Sequence, residues 1–272
     1  MDKWKAYYVN RFGGDERVQG VLAFAGSSDT SPFSDGSDLV LLVIAGDPNC
    51  ESKIMSTYHY IKDGCRIQER WTDPGSFRNC IAFGSNRNII HWVLQGEIWL
   101  DRNGFLLRSK RELADFGTLA KERKLLEEFS RFFSCYMRSK QHLQDGDVLD
   151  AYSSILEALC HWASVVIVEE GAHPEVTVWR QVRKINPGVY KLYEELTQGS
   201  ETMEQRVQLV LLACEFSVMS KMQICCGLLT RILESRKKPW SAEELREHPE
   251  LSDLSIELGL ILKKMVKKSL IK

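Results

Sequence analysis

The sequence predicts an α/β N-terminal domain, a mixed sheet with flanking helices. An all-α helical-bundle domain and a small helix-turn-helix-like C-terminus follow it. Three observations carry this. Short apolar runs bounded by Gly, Pro, Ser and Asp dominate the first third of the chain, the signature of buried strands. From about Ala120 apolar residues recur at three- and four-residue spacing, the helical period. Arg236-Lys237-Lys238-Pro239 then interrupts the helices, and Ser241 to Glu244 writes a capping box after it. The boundaries implied are residues 1–117, 118–235 and 236–272.

In the first domain, residues 3–12 read as a helix. Val21–Phe24 and Leu39–Ile44 read as strands. Lys53–Ile61 and Cys65–Thr72 form two alternating runs joined by Lys62-Asp63-Gly64, and an Asp-Gly step at such a place marks a hairpin. A helix carrying Phe77, Ile81 and Ala82 follows Asp73-Pro74. Gly84-Ser85-Asn86-Arg87 leads into a helical Ile89–Leu94. Ile98–Leu100 is a last strand, running into the Asp101-Arg102-Asn103-Gly104 turn.

In the second domain, Leu125, Phe129, Phe132, Phe133 and Tyr136 share a helix that ends at Asp145-Gly146. Val148 to about Glu170 forms the next, with Leu149, Tyr152, Leu156, Leu159, Ala163 and Val166 on one face and Gly171 as its C-terminal cap. His173-Pro174 opens a short third helix. Asn186-Pro187 opens a fourth, as an N-cap followed by proline at the first helical position, and Gly199 ends it. Glu201 to Glu234 reads as one long helix, apolar around most of its circumference near Val207–Ala213 and therefore central in a bundle. Near the C-terminus Leu258, Ile261, Leu262, Met265 and Val266 share a face, with Lys263, Lys264, Lys267 and Lys268 around it. Those lysines suit the negative end of a helix dipole. Glu257 and Leu258 are poor base-reading residues for a recognition helix.

Composition narrows the class. Of the 272 residues 27% are charged and 44% hydrophobic, ordinary for a globular protein. A formal net charge of −1 gives no overall field to draw in nucleic acid or an acidic membrane, so such contacts would have to be local. No stretch of about 18 consecutive apolar residues is present, so no membrane span is expected. The N-terminal residues have no signal-peptide core. Eight cysteines lie scattered without a CxxC pair, which points to reduced, mostly buried thiols in a cytoplasm.

The chemistry is concentrated in VQGVLAFAGSSDTSPFSDGSDLVLLVI, Val18 to Ile44. A glycine-serine step follows the first apolar run, and Asp38 opens the second. Backbone amides near Gly26, with the Ser27 and Ser28 hydroxyls, can approach a triphosphate because glycine has no Cβ in the way. A carboxylate at the mouth of a strand can hold Mg²⁺ against those phosphates. This is how a polymerase-β-like nucleotidyltransferase site is written. Asp38 is thus the candidate metal ligand. Asp35, which reaches the site only from a turn, and Glu69, in a later strand, are its candidate catalytic partners. Arg87 is a further candidate for the nucleotide, with His91 and Arg102 behind it. Two-metal transfer needs several carboxylates around ions about 3.5–4 Å apart. Strand side chains repeat with period two, so the next same-face position after Asp38 is Val40. The competing reading makes Asp35 and Asp38 turn residues and strand punctuation, and Glu69 a solvent-facing or salt-bridged strand glutamate.

Two longer stretches carry a family resemblance: HPEVTVWRQVRKINPGVYKLYEEL, His173 to Leu196, and FGSNRNIIHWVLQGEIWLDRNGF, Phe83 to Phe105. With SDGSDLVLLVI they closely resemble the YgxA-like group of bacterial nucleotidyltransferase-like proteins, over nearly the whole chain. The resemblance implies a nucleotidyltransferase-like first domain, a helical domain similar to the substrate-binding domains of antibiotic nucleotidyltransferases, and a helix-turn-helix-like end. Gly26, Ser27 and Asp38 match the superfamily motif, and Val40 departs from it. Two functions follow as expectations. One is Mg²⁺-dependent transfer of a nucleotidyl group from an NTP to an unknown acceptor. The other is a non-catalytic nucleotide-binding or regulatory module on a retired transferase fold. A homodimer through the Glu201–Glu234 helix, and nucleic acid at the lysine-rich tail, are further partner expectations.

Overall fold

The computed structural model describes residues 2–26, 36–46, 55–83 and 86–271. They divide into two units, Met1–Phe116 and Gly117–Lys272.

The first unit is built on a five-stranded sheet. Its elements are α1 (Asp2–Gly13), β1 (Val18–Ala25), β2 (Leu39–Ala45), β3 (Met55–Lys62), β4 (Cys65–Thr72), α2 (Pro74–Phe83), α3 (Arg87–Gln95), β5 (Glu97–Asp101) and α4 (Phe105–Ala114). The strand order is β3-β4-β2-β1-β5. The β2–β4 pair is parallel and the other pairs are antiparallel. All seven residues of β2 are buried. Its unbroken apolar run thus reflects a central strand covered on both faces. Val40, Leu42 and Ile44 pack with Phe77, Trp92 and Leu106 from α2 to α4. Leu39, Leu41 and Val43 pack with Tyr8 and Phe12 of α1. The Asp63-Gly64 hairpin forms as expected, and both residues take positive φ, 47° and 75°, as the tight β-hairpin turn demands. Asn86 caps α3 by accepting from the Asn88 and Ile89 amides at 3.1 and 3.2 Å. Helix α4 had no counterpart in the sequence reading.

The second unit is helical: α5 (Thr118–Asp145), α6 (Val148–Glu169), α7 (Val178–Ile185), α8 (Pro187–Gln198), α9 (Met203–Cys225), α10 (Gly227–Glu234), α11 (Ala242–Arg246) and α12 (Leu258–Lys267). Gly146, at φ 86°, turns α5 into α6, and aromatic rings fill the space between them, Phe132 against Trp162 at 4.8 Å. By length and composition α6 could cross a membrane. Here 67% of its most apolar window is buried inside the structure, as in a core helix.

Three helical expectations are corrected. Glu201–Glu234 is two helices, α9 and α10, interrupted at Cys226. Helix α7 begins at Val178, well after His173-Pro174: the Gln181 side chain accepts from the Glu175 amide and donates to the His173 carbonyl, each at 2.9 Å, which satisfies that stretch in a non-helical path. Leu149 is 71% exposed, one position outside the buried face of α6. The C-terminal segment docks on α5. The Glu257 amide donates to Ser130 Oγ at 2.8 Å, and Leu258, Ile261 and Met265 are buried.

Candidate functional site

Gly26 and Asp38 meet at one end of the sheet. The Gly26 amide, just past β1, donates to the Asp38 carbonyl at 2.9 Å, and the Asp38 amide donates to the Arg66 carbonyl at 2.8 Å. The glycine bend and the aspartate therefore stand side by side on neighbouring strands. Ser27, Ser28 and Asp35 lie outside the described residues. Arg87 is the first residue of α3.

The Asp38 carboxylate is already engaged. Arg66 reaches it with its backbone amide at 2.8 Å, Nε at 3.2 Å and Nη2 at 2.8 Å. The Arg66 guanidinium, and after it the Arg66 amide, hold the Asp38 carboxyl down to about 2. A forked guanidinium is thus seated on the carboxylate that would anchor a metal. Alternation along β2 gives Val40 as the next residue on the Asp38 face, and the parallel register sets Gln68 level with Val40. Both are almost fully buried. Neither can contribute a carboxylate.

Glu69 does not join Asp38. The register sets it level with Leu41, one step off, and so on the opposite face of the sheet, with Ile67 and α1. There its side chain is 3% exposed and receives Arg11 Nη1 at 2.5 Å and the Tyr60 hydroxyl. Tyr60 also shares a hydrogen bond with Tyr8 at 2.8 Å. Burial, then the bond to Glu69, pushes the Tyr60 hydroxyl far above its ordinary value. Glu69 thus ties α1 to β3 and β4. Beside it a cleft of about 560 Å³ opens at the Gly46 end of β2, lined by Arg11, Arg17, Tyr58, Tyr60 and Trp71.

The remaining candidates are accounted for by packing. Arg102 Nη2 donates to the Gly13 and Asp15 carbonyls at 2.8 and 3.1 Å, closing the α1–β1 connection. His91 stands edge-on to Phe24 at 5.3 Å. Arg66 is the residue that sequence reasoning missed. Its only signal was its place just ahead of Ile67 in a strand whose partner was unknown.

Comparison with known proteins places this architecture in a class. Residues 1–121 match the family described as Nucleotidyltransferase-like, residues 122–221 the YgxA-like substrate binding domain, and residues 228–272 a Helix-turn-helix domain. The crystal structure of a nucleotidyltransferase-like protein from Exiguobacterium sibiricum superposes with a TM-score of 0.83 at 30% identity, covering 100% of this chain and 93% of that one. The fold is that of a nucleotidyltransferase-like protein. The chain is also 32% identical over 251 residues to the uncharacterized protein YgxA of Bacillus subtilis (strain 168), covering 92% of this chain and 84% of that one. It belongs to the YgxA-like family of nucleotidyltransferase-like proteins.

Proposed function

We propose that the protein is a nucleotide-binding module on a nucleotidyltransferase-like fold, working in the cytoplasm without two-metal phosphoryl transfer. The observation that carries this reading is the Asp38–Arg66 pair, with Val40 and Gln68 as the same-face neighbours. Phosphates would be held beside the Gly26 bend by Ser27, Ser28 and Arg87. Charge at the sheet end would come from Arg66 in place of Mg²⁺. The helical unit, whose match is to a substrate binding domain, would hold the second ligand.

A second reading is favoured by the contact between Gly26 and Asp38. In it Asp38, released from Arg66, and Asp35 would hold Mg²⁺, which would neutralise phosphate charge, and an acceptor hydroxyl would attack the α-phosphorus of an NTP, losing its proton to solvent as pyrophosphate leaves. Calorimetry with each NTP, with Mg²⁺ and with EDTA, run beside a pyrophosphate-release assay, separates the two. The module reading expects binding that survives EDTA and no Mg²⁺-dependent pyrophosphate. Pyrophosphate released only with Mg²⁺ establishes the second reading, and absence of any nucleotide binding removes both.

The homodimer reading attaches to α9, where Leu209, Leu212 and Phe216 are 49%, 69% and 79% exposed at helical spacing. Sedimentation that stays monomeric up to high protein concentration eliminates it.

A further inference from the structure

The hairpin of α5 and α6, in the second unit, gathers four ionisable groups. Glu157 and His161 stand one turn apart on α6, on the same face. Cys135 comes from α5. One ligand atom from each of Cys135, Glu157 and His161 lies within 4.8 Å of the others. Ligand atoms around a tetrahedral zinc stand roughly 3.3–3.6 Å apart, so rotamer-scale adjustment closes the set. Cys135 is buried, His161 half-buried and Glu157 exposed, so the site opens to solvent on one side.

The fourth group is Glu128, two turns before Cys135 on α5. Its side chain is 2% exposed, and it stands 2.7 Å from His161 Nδ1 and 3.2 Å from Lys124 Nζ. An ionised carboxylate only accepts hydrogen bonds, so beside Glu128 the Nδ1 atom is the donor, and Nε2 is the ring nitrogen that would face a metal. A histidine held in this tautomer by a buried carboxylate is the arrangement that orients metal-binding imidazoles.

A cation already occupies the open side. Arg138 Nη2 donates to Cys135 Sγ at 3.0 Å and to Glu157 Oε2 at 2.8 Å. Both Arg138 and Glu157 are 53% exposed, so the guanidinium can leave into water without opening the core. We propose that Cys135, Glu157 and His161 form a site for a divalent transition metal of the zinc class, with Glu128 orienting the histidine and Arg138 holding the site in the metal's absence. On binding, the Cys135 thiol gives its proton to solvent, the guanidinium swings out, and a water completes four-coordination. Nothing in this inference depends on the nucleotide reading, since all of these residues belong to the second unit.

The test is Co²⁺ titration of the full-length, chelator-stripped protein, read by the near-ultraviolet sulfur-to-cobalt charge-transfer band and the visible intensity of four-coordinate cobalt, followed by displacement with Zn²⁺. The expected result is a band saturating at one Co²⁺ per chain and bleached by Zn²⁺. The band is lost in Cys135→Ser, and the visible spectrum is altered in His161→Gln. Glu128→Gln weakens binding by about 10–100-fold, the usual effect of removing an orienting partner. Arg138→Ala, a change at a half-exposed side chain, tightens binding by up to about fivefold, the worth of a partly exposed ion pair. A band that survives Cys135→Ser places the metal on another cysteine and overturns the proposal. So does the absence of a one-to-one band in both the wild type and Arg138→Ala.

Discussion

Asp38 and Glu69 are both carboxylates of the central strand pair, and their roles diverge through one step of register. Asp38 is solvent-facing and held ionised by Arg66. Its folded-state value is depressed to about 2, so its contribution to stability is complete above the ordinary carboxylate range. That contribution is lost as pH falls from about 4 through about 2. Arg66→Ala is expected to return the Asp38 titration midpoint toward its ordinary value, followed by carboxyl-carbon NMR; a midpoint that stays near 2 means that other groups hold the charge. Glu69 anchors Arg11 and Tyr60 on the other face. Glu69→Ala leaves Arg11 and Tyr60 without their shared acceptor. It is expected to cost about 2–3 kcal/mol in urea unfolding, below the value for a fully enclosed ion pair because Arg11 is 41% exposed and stays hydrated. The alternation of Ile67, Glu69 and Trp71 was legible in the sequence, and the structure keeps these three on one face. The register of β4 against β2 was not legible. It depends on a parallel pairing across 28 residues, and that pairing decides whether Glu69 can reach Asp38.

Elements with local causes were the readable ones. The Asp63-Gly64 hairpin, the Asn186 cap and the Ser241–Glu244 box are set by residues within a few positions of one another, and all are present. The break between α9 and α10 was hidden, because apolar residues continue through Cys225 and Cys226, both buried by tertiary packing. The start of α7 was hidden because a glutamine from within the helix satisfies the backbone ahead of it. One glycine is decisive at this scale. A Cβ on Gly96, between α3 and β5, would lie 2.3 Å from the Trp92 carbonyl oxygen and 3.2 Å from that of Ala23, both backbone atoms that cannot rotate away. Gly96→Ala should destabilise the first unit by about 1–3 kcal/mol or more. A melting temperature equal to that of the wild type contradicts this packing. Thr202 caps α9 in a capping box with Gln205, and Thr202→Ala is expected to lower stability by about 1 kcal/mol in urea unfolding. No change in the unfolding midpoint means that water replaces the cap at no cost.

At the scale of the molecule, each unit has its own core. The first is layered on two faces of a sheet, and the second is packed around α5 and α6. Residues 1–116 and 117–272, expressed separately, are expected each to unfold cooperatively, as independent domains do. Non-cooperative melting of either fragment contradicts the division. The transferase-like layout was legible because β1, the glycine bend, Asp38 and β2 are contiguous in the chain. That no second carboxylate joins Asp38 among the described residues was half legible, through Val40; the rest lay in Arg66 and Gln68, which only the parallel strand pairing brings to Asp38. On the proposed reading Arg66 takes the cation's place at this end of the sheet. The decisive comparison is the Mg²⁺ dependence of nucleotide binding in the wild type and in Arg66→Ala. Wild-type affinity is expected to be indifferent to Mg²⁺, with a Mg²⁺ requirement that emerges only when the guanidinium is removed. Wild-type binding that already collapses in EDTA contradicts it.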